Sequence, residues 1–359
     1  MAVRLRPELD ALVAYKPGRN PADLARELGL DAAVKLASNE SAYGPLPSVR
    51  ALIADATADI NRYPDAAATE LVAALARRYS VTADRVVVGC GSVGLYQQLV
   101  AALAGPGDEV IYPWRSFEVY PILVHVTGAA RVAVPLVGAD HDLTAMAEAV
   151  TSRTRMVFVC NPNNPTGTAV HRADLEKFLG SVPDDVLIVI DEAYREFVSD
   201  PDVPDGLEYA AQRDNVAVLR TMSKAYGLAG LRVGYCVASP EVTEALRKVQ
   251  LPFTVTSLGQ AAAIASLAAE DELLDRVRHT LVERQRVQDA LRALRVDVPT
   301  TEANFVWLPL GDGAAAFGAG CEQRGIIVRP FAGDGVRVTI GTPAENDLFL
   351  AIAEDLLAH

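Results

Sequence analysis

The sequence predicts an α/β protein: a large domain with a mostly parallel sheet between helices, followed by a smaller α+β domain. Two observations carry this. From about residue 85, short Val- and Ile-rich runs alternate with amphipathic stretches, and after about residue 255 that alternation stops. The runs 85–89, 109–112, 131–135, 156–160, 186–190, 216–220 and 233–238 read as strands, most of them flanked by Gly, Pro or Asp. Helical patterns fall between several of them, at 93–104, 117–126, 143–150 and 172–179. Continuously apolar strands separated by helices imply a sheet covered on both faces. Beyond 255 come one long helical stretch, 257–294, short strands at Phe305–Leu308, 326–328 and 336–340, and a closing helix at 344–357. The first 45 residues hold a possible helix, Pro21–Leu28, and a Gly/Pro-punctuated stretch at 39–47, which read as an arm returning to the small domain. The expected division is 1–44 for the arm and part of the small domain, 45–265 for the large domain and 266–359 for the small C-terminal domain.

Composition narrows the function. The chain has 359 residues and a formal net charge of −13, poorly suited to a polyphosphate backbone, so nucleic acid is not an expected partner. Its four cysteines, Cys90, Cys160, Cys236 and Cys321, form no C-x-x-C pair and read as buried reduced thiols. The five histidines form no zinc-binding pattern, so no metal is expected. Residues 1–19 lack a signal-peptide apolar segment, and no apolar run approaches the roughly 18 residues of a membrane span. The expectation is a cytoplasmic protein with no membrane partner.

In parallel sheets, ligands bind at the carboxyl ends of strands, so the residues after each strand matter most. Gly89-Cys90-Gly91-Ser92-Val93-Gly94 is a small-residue turn into a helix, whose backbone N–H groups suit a phosphate, although a plain strand-to-helix turn uses similar residues. Asn161-Pro162-Asn163-Asn164-Pro165-Thr166-Gly167 is a stiff loop with amide side chains at a strand end. Asp191-Glu192-Ala193-Tyr194 closes a very apolar run; a carboxylate there is costly unless paired, though it could simply cap the next segment. Thr221-Met222-Ser223-Lys224-Ala225-Tyr226-Gly227 sets a lysine among small and hydroxyl residues, where it is either a solvated surface lysine or a desolvated nucleophile.

Together these pieces match what a pyridoxal 5′-phosphate (PLP) site needs: an amine for a Schiff base, a carboxylate for the pyridine nitrogen, donors for the ring phenolate, a cradle for the phosphate dianion, and an aromatic over the ring. Lys224, Asp191, Asn164 with Tyr194, the turn at Gly91, Ser92 and Val93 with Thr221, Ser223 and Arg232, and Phe117 supply them in that order.

The chain resembles fold-type I PLP aminotransferases of class I/II, in the branch that holds histidinol-phosphate and aromatic amino acid aminotransferases. The matching stretches are KLASNESAYGP at 35–45, NRYPD at 61–65, NPNNPTG at 161–167, DEAY at 191–194, TMSKAYGLAGLRVGY at 221–235, EANFVWL at 302–308 and VRVTIGT at 336–342. The resemblance implies that Lys224 is the Schiff-base lysine, that Asp191 pairs with the pyridinium, and that the other residues hold the cofactor as just described. It further implies that Arg337 clamps the substrate α-carboxylate with Asn39 nearby, and that Tyr63 reaches into the partner's site of a homodimer. Transamination would run from an aromatic L-amino acid to 2-oxoglutarate, giving an aromatic 2-oxo acid and L-glutamate. Tyr15, Tyr43, Trp114, Phe331 and the neighbour's Tyr63 are candidate walls for the side chain, and Arg329 is a candidate cation for the γ-carboxylate.

Two departures bear on substrate. The acidic residue usual after the glycine turn of histidinol-phosphate enzymes is replaced by Val93-Gly94, and N-E-N-P is here Asn39-Glu40-Ser41-Ala42. The first, with the stretch 328–335, resembles the actinobacterial aromatic branch. Arg329 could equally hold the phosphate of histidinol phosphate, so histidinol-phosphate transamination is the alternative. A PLP decarboxylase or C–S lyase, and a PLP-binding regulatory domain, stand further off.

Overall fold

A computed structural model describes Val3, Arg6, Leu9, Leu12 and residues 18–358. Its strands are β1 (Val34–Lys35), β2 (Val86–Cys90), β3 (Glu109–Trp114), β4 (Ala130–Pro135), β5 (Thr154–Cys160), β6 (Leu187–Asp191), β7 (Val216–Thr221), β8 (Val233–Val237), β9 (Phe305–Leu308), β10 (Ile326–Ile327), β11 (Arg329–Phe331) and β12 (Gly335–Thr339). Strands β2 to β8 form one seven-stranded sheet in the order β2-β8-β7-β6-β5-β3-β4. All its pairs are parallel except those of β8, which runs antiparallel to both β2 and β7. Each expected strand of this sheet is present, within two residues of its expected limits.

The continuous apolar character of these strands follows from burial on both faces. Phe158, Leu187, Val189 and Leu219 pack on one side with Tyr96 and Tyr120, while Val157, Val159, Ile188 and Ile190 pack on the other with Leu175 and Phe178. The reversal of β8 places its amino end, just after Arg232, beside the carboxyl ends of β2 and β7, since Cys90 pairs with Val233 and Thr221 with Gly234. One edge of the sheet therefore collects Gly91, Asn161, Asp191, Thr221 and Arg232.

The C-terminal part is built on a three-stranded antiparallel sheet, β11-β12-β9, with a core of Val306, Leu308, Val336, Val338, Phe349 and Ile352. Strand β1 pairs in parallel with β10, and Leu36 exchanges backbone hydrogen bonds with Ile327 and Thr339, so the segment after Pro21–Leu28 is held by this smaller sheet.

Three sequence expectations change. The stretch 257–294 is two helices, Ser257–Ala268 and Glu270–Ala293, broken at Ala269 (φ −106°, ψ 30°). Glu270, Asp271 and Glu272 stabilise the second helix's amino end through its dipole. The stretch after Val328, where no strand was expected, contains β11; it is an edge strand, where proline costs no sheet hydrogen bond. Cys90 is half-buried, unlike the three other cysteines, and all four are unbridged.

Behind the sheet edge, Glu192 and Arg220 form an ion pair at 2.6 Å, both almost without solvent contact, and Arg220 also reaches Asp205 at 2.6 Å. Breaking such a pair strands a charge in the interior. Arg220→Met should lower the unfolding free energy by about 3–5 kcal/mol, read from urea unfolding of both proteins.

Candidate active site

The strand ends open into a cavity of about 200 Å³ lined by Ser92, Val93, Phe117, Asn164, Asp191, Tyr194, Thr221, Ser223, Lys224, Arg232, Arg329, Arg337 and Asn39, all singled out from the sequence. A larger groove of about 650 Å³ between Leu143–Glu148 and Arg172–Ser181 contains none of them.

Asp191 is the last residue of β6 and is buried on the face of Tyr120 and Phe158. The Tyr120 hydroxyl donates to its Oδ2 at 2.6 Å, and the Ala193 N–H donates to Oδ1 at 3.2 Å. Burial pushes its pKa up, and the hydrogen bond from Tyr120 opposes that shift. No Lys, Arg or His among the described residues forms an ion pair with it. A buried carboxylate that faces a cavity and forms no ion pair is suited to a cationic or N–H-bearing group on a ligand.

Lys224 sits three residues beyond β7, and its Nζ donates to the Ser38 carbonyl at 3.1 Å. Burial, followed by the nearby Arg337 charge, pulls the pKa of its amine down to about 7. A neutral amine near pH 7 is a nucleophile and a base.

Opposite lies an anion cradle. The helix Gly91–Leu103 starts with no side-chain cap. Thr221 Oγ1 donates to Ser223 Oγ at 3.0 Å, and Arg232 Nη1 donates to Ser223 Oγ at 3.3 Å. These hydroxyls, the guanidinium and the helix amino end converge as a dianion requires. Gly91 does not line the cavity, and its N–H is occupied by the Arg232 carbonyl at 2.9 Å. Its part is steric: its φ is +67°, and a Cβ there would strike the Arg232 guanidinium.

The third wall is wired between the two sheets. Asn39 (φ 53°) donates from Nδ2 to the Tyr194 hydroxyl at 2.9 Å, and its Oδ1 accepts from Thr339 Oγ1 at 3.0 Å. Burial raises the Tyr194 pKa, so the phenol keeps its proton. Arg337 donates to Asn164 Oδ1 at 2.5 Å and to the Ala37 carbonyl at 2.6 Å. Arg329 donates to Glu118 Oε2 at 2.8 Å.

Several expected wall residues lie elsewhere. Tyr43 lines a separate small pocket with Phe197 and Val277. Trp114 stacks under Arg115 and does not line the cavity. Phe331 is buried behind the cavity against Trp307, with the Arg115, Arg329 and Arg337 guanidinium carbons 5.6, 5.7 and 5.8 Å from its ring centre. Pro330 is exposed. Alternation along β11 turns Arg329 to the cavity and Pro330 away. Tyr63 is 83% exposed and stacks on Phe253 at 4.6 Å, outside the cavity lining of its own chain. Tyr15 lies outside the described residues. Sequence reasoning missed Tyr120, Glu118, Ser38 and Thr339; the spacing of three between Phe117 and Tyr120 was the one local signal.

The architecture is that of fold-type I aminotransferases. The family model for aminotransferase class I and II matches residues 31–352, and the chain belongs to that family. An aromatic amino acid aminotransferase of Thermobifida fusca is 60% identical over 350 residues, covering 97% of this chain and 96% of that one. Another from Streptomyces coelicolor is 56% identical over 353 residues, covering 98% and 97%. A histidinol-phosphate aminotransferase from Sinorhizobium meliloti, solved in complex with pyridoxal-5′-phosphate, superposes with a TM-score of 0.90 at 29% identity, over 100% of this chain and 98% of that one.

In the cofactor-free protein, reductive methylation of Lys224, followed by peptide mapping from pH 5 to 10, should have its midpoint near pH 7. Arg337→Leu should move that midpoint upward, because it removes a neighbouring positive charge.

Proposed function

We propose that this aminotransferase binds PLP on Lys224 and transfers the amino group of aromatic L-amino acids to 2-oxoglutarate, as a homodimer with shared sites. The cofactor reading is carried by Asp191, buried on the cavity and in no ion pair among the described residues. The donor set fits the whole group. Ser92, Val93, Thr221, Ser223 and Arg232 would hold the phosphate, Asn164 and Tyr194 the phenolate oxygen, Phe117 the ring face, and Asp191 the ring nitrogen. When bound, PLP supplies an electron sink that stabilises negative charge at the substrate Cα.

The chain's own residues do the rest. Arg337 presents a guanidinium fixed by Asn164 and the Ala37 carbonyl, placed to take the α-carboxylate. Lys224 would hold the cofactor through its Nζ, and when free of it the same Nζ would take up and give back the proton at the substrate Cα. A pKa near 7 suits both directions of that transfer. Asp191 would hold the ring nitrogen. The Asn39–Tyr194 hydrogen bond fixes the phenol facing the cavity.

The aromatic preference is supported by the names of the close relatives at 60% and 56% identity, and by Val93 standing where an acidic residue would be expected. Arg329 on the cavity wall favours the second reading, histidinol phosphate, which is also the substrate in the name of the Sinorhizobium enzyme. Half-reactions monitored by the cofactor absorbance with Phe, Tyr, Trp, His and histidinol phosphate decide between them. Phe should exceed histidinol phosphate in kcat/KM by about tenfold or more, the cost of one missing charge-assisted contact to a phosphate. If histidinol phosphate is the better substrate and Arg329→Leu reverses the order, the second reading replaces the first.

The dimer reading rests on the exposed Tyr63–Phe253 stack, beside chain neighbours Ile60 and Leu251 that are also exposed. Mixing Lys224→Ala with Tyr63→Phe subunits puts both lesions at one site of a heterodimer and leaves the other site whole. Activity should recover on mixing; a monomer at working concentration would rule the arrangement out.

A further inference from the structure

We infer that Glu118 sets the balance between dicarboxylate and uncharged side chains by competing with a substrate's second carboxylate for Arg329. This rests on the transamination reading above. Arg329 and Arg337 are directly paired residues on the antiparallel strands β11 and β12. Such partners project to the same face with Cβ atoms about 4.5–5.5 Å apart. Both line the cavity. Both guanidinium groups therefore stand on one wall of the cavity, where each can take one carboxylate of a dicarboxylate, and their like charges repel each other.

The protein answers the two charges differently. Arg337 donates to neutral acceptors, the Asn164 amide oxygen and the Ala37 carbonyl. Arg329 is held by an anion. Glu118 also lines the cavity and accepts from Arg329 Nη2 at 2.8 Å. It stands just before the helix Val119–Thr127, on the opposite wall from β11 and next to Phe117. With Glu118 in place, the charge at the side-chain end of the cavity is compensated, and an uncharged ring enters without confronting a bare cation. A dicarboxylate must instead displace Glu118 or sit beside it. Displacement is feasible because the Glu118 side chain keeps 31% of its surface in solvent, against 19% for Arg329. The carboxylate can swing back into water while the arginine stays.

Glu118 therefore disfavours the dicarboxylate and is nearly neutral toward the aromatic, and the same cavity serves both. Isothermal calorimetry on the holoenzyme, with glutarate and 3-phenylpropanoate as non-reacting ligands, tests this in wild type, Glu118→Gln, Arg329→Leu and the double variant. Glu118→Gln should tighten glutarate by about two- to fivefold, the range of a partly exposed ion pair, and change 3-phenylpropanoate by less than about 1.5-fold. In the Arg329→Leu background the same substitution should leave glutarate unchanged. Glu118→Ala must shift glutarate in the same direction, which keeps the test open if the glutamine variant misfolds. Equal shifts of both ligands, an unchanged glutarate affinity, or an effect that persists without Arg329 would overturn the inference. If wild type fails to bind 3-phenylpropanoate, the aromatic reading falls, and the glutarate arm still decides the role of Glu118.

Discussion

Two successive carboxylates end strand β6, and the cavity follows from how differently they are treated. Strand alternation turns Asp191 and Glu192 to opposite faces of the sheet. Glu192 is neutralised inside the chain by Arg220. Asp191 has a phenol, a thiol and a backbone N–H for partners, enough to hold its orientation but not to match a charge. Burial raises its pKa, and the side it turns to the cavity is open to a positively charged or N–H-bearing group. The buried aromatic cluster of Tyr96, Tyr120 and Phe158 around it excludes the water that would otherwise solvate the carboxylate. The lysine, the anion cradle and the arginines are then distributed around this fixed point.

The reversed strand β8 is the topological device that completes the distribution. Were β8 parallel to its neighbours, Arg232 would sit at the far edge of the sheet. Because it runs the other way, the same short segment that returns the chain from Lys224 also delivers the guanidinium to the helix amino end at Ser92. Gly91 and Gly234 then let the pieces approach, since a Cβ on Gly234 would strike the Ser92 and Gly91 backbone.

Much of this was legible in the sequence, for a physical reason. A strand buried on both faces is an uninterrupted apolar run, and the first polar residue after it marks the sheet edge where ligands bind. Asp191, Asn161 and Thr221 follow that rule, and Asn164, Ser223 and Lys224 come within three residues of them. The rest depends on contacts between segments remote in the chain. Asn39 meets Tyr194 across 155 positions and Thr339 across 300, and Glu118 meets Arg329 across 211. No local pattern encodes such pairings. Phe331 misled for a related reason: its apolar character signals burial, and the partners that bury it, Trp307 and three guanidinium groups, come from segments remote in the chain. Tyr63 is a different case, because one chain supplies no surroundings for it within the site.

The ring of Phe331 has three guanidinium groups about it, from Arg115, Arg329 and Arg337. Two of them belong to the cavity wall, and the third pairs with Asp334 across the seam between the sheets. A single uncharged side chain thus underlies two arginines of the cavity wall and a staple at its rim. These three features are not separate modules. A change of shape at residue 331 propagates to all of them together, so natural or laboratory drift toward new side-chain preferences is channelled away from this position and toward residues, such as Glu118, that touch one arginine alone.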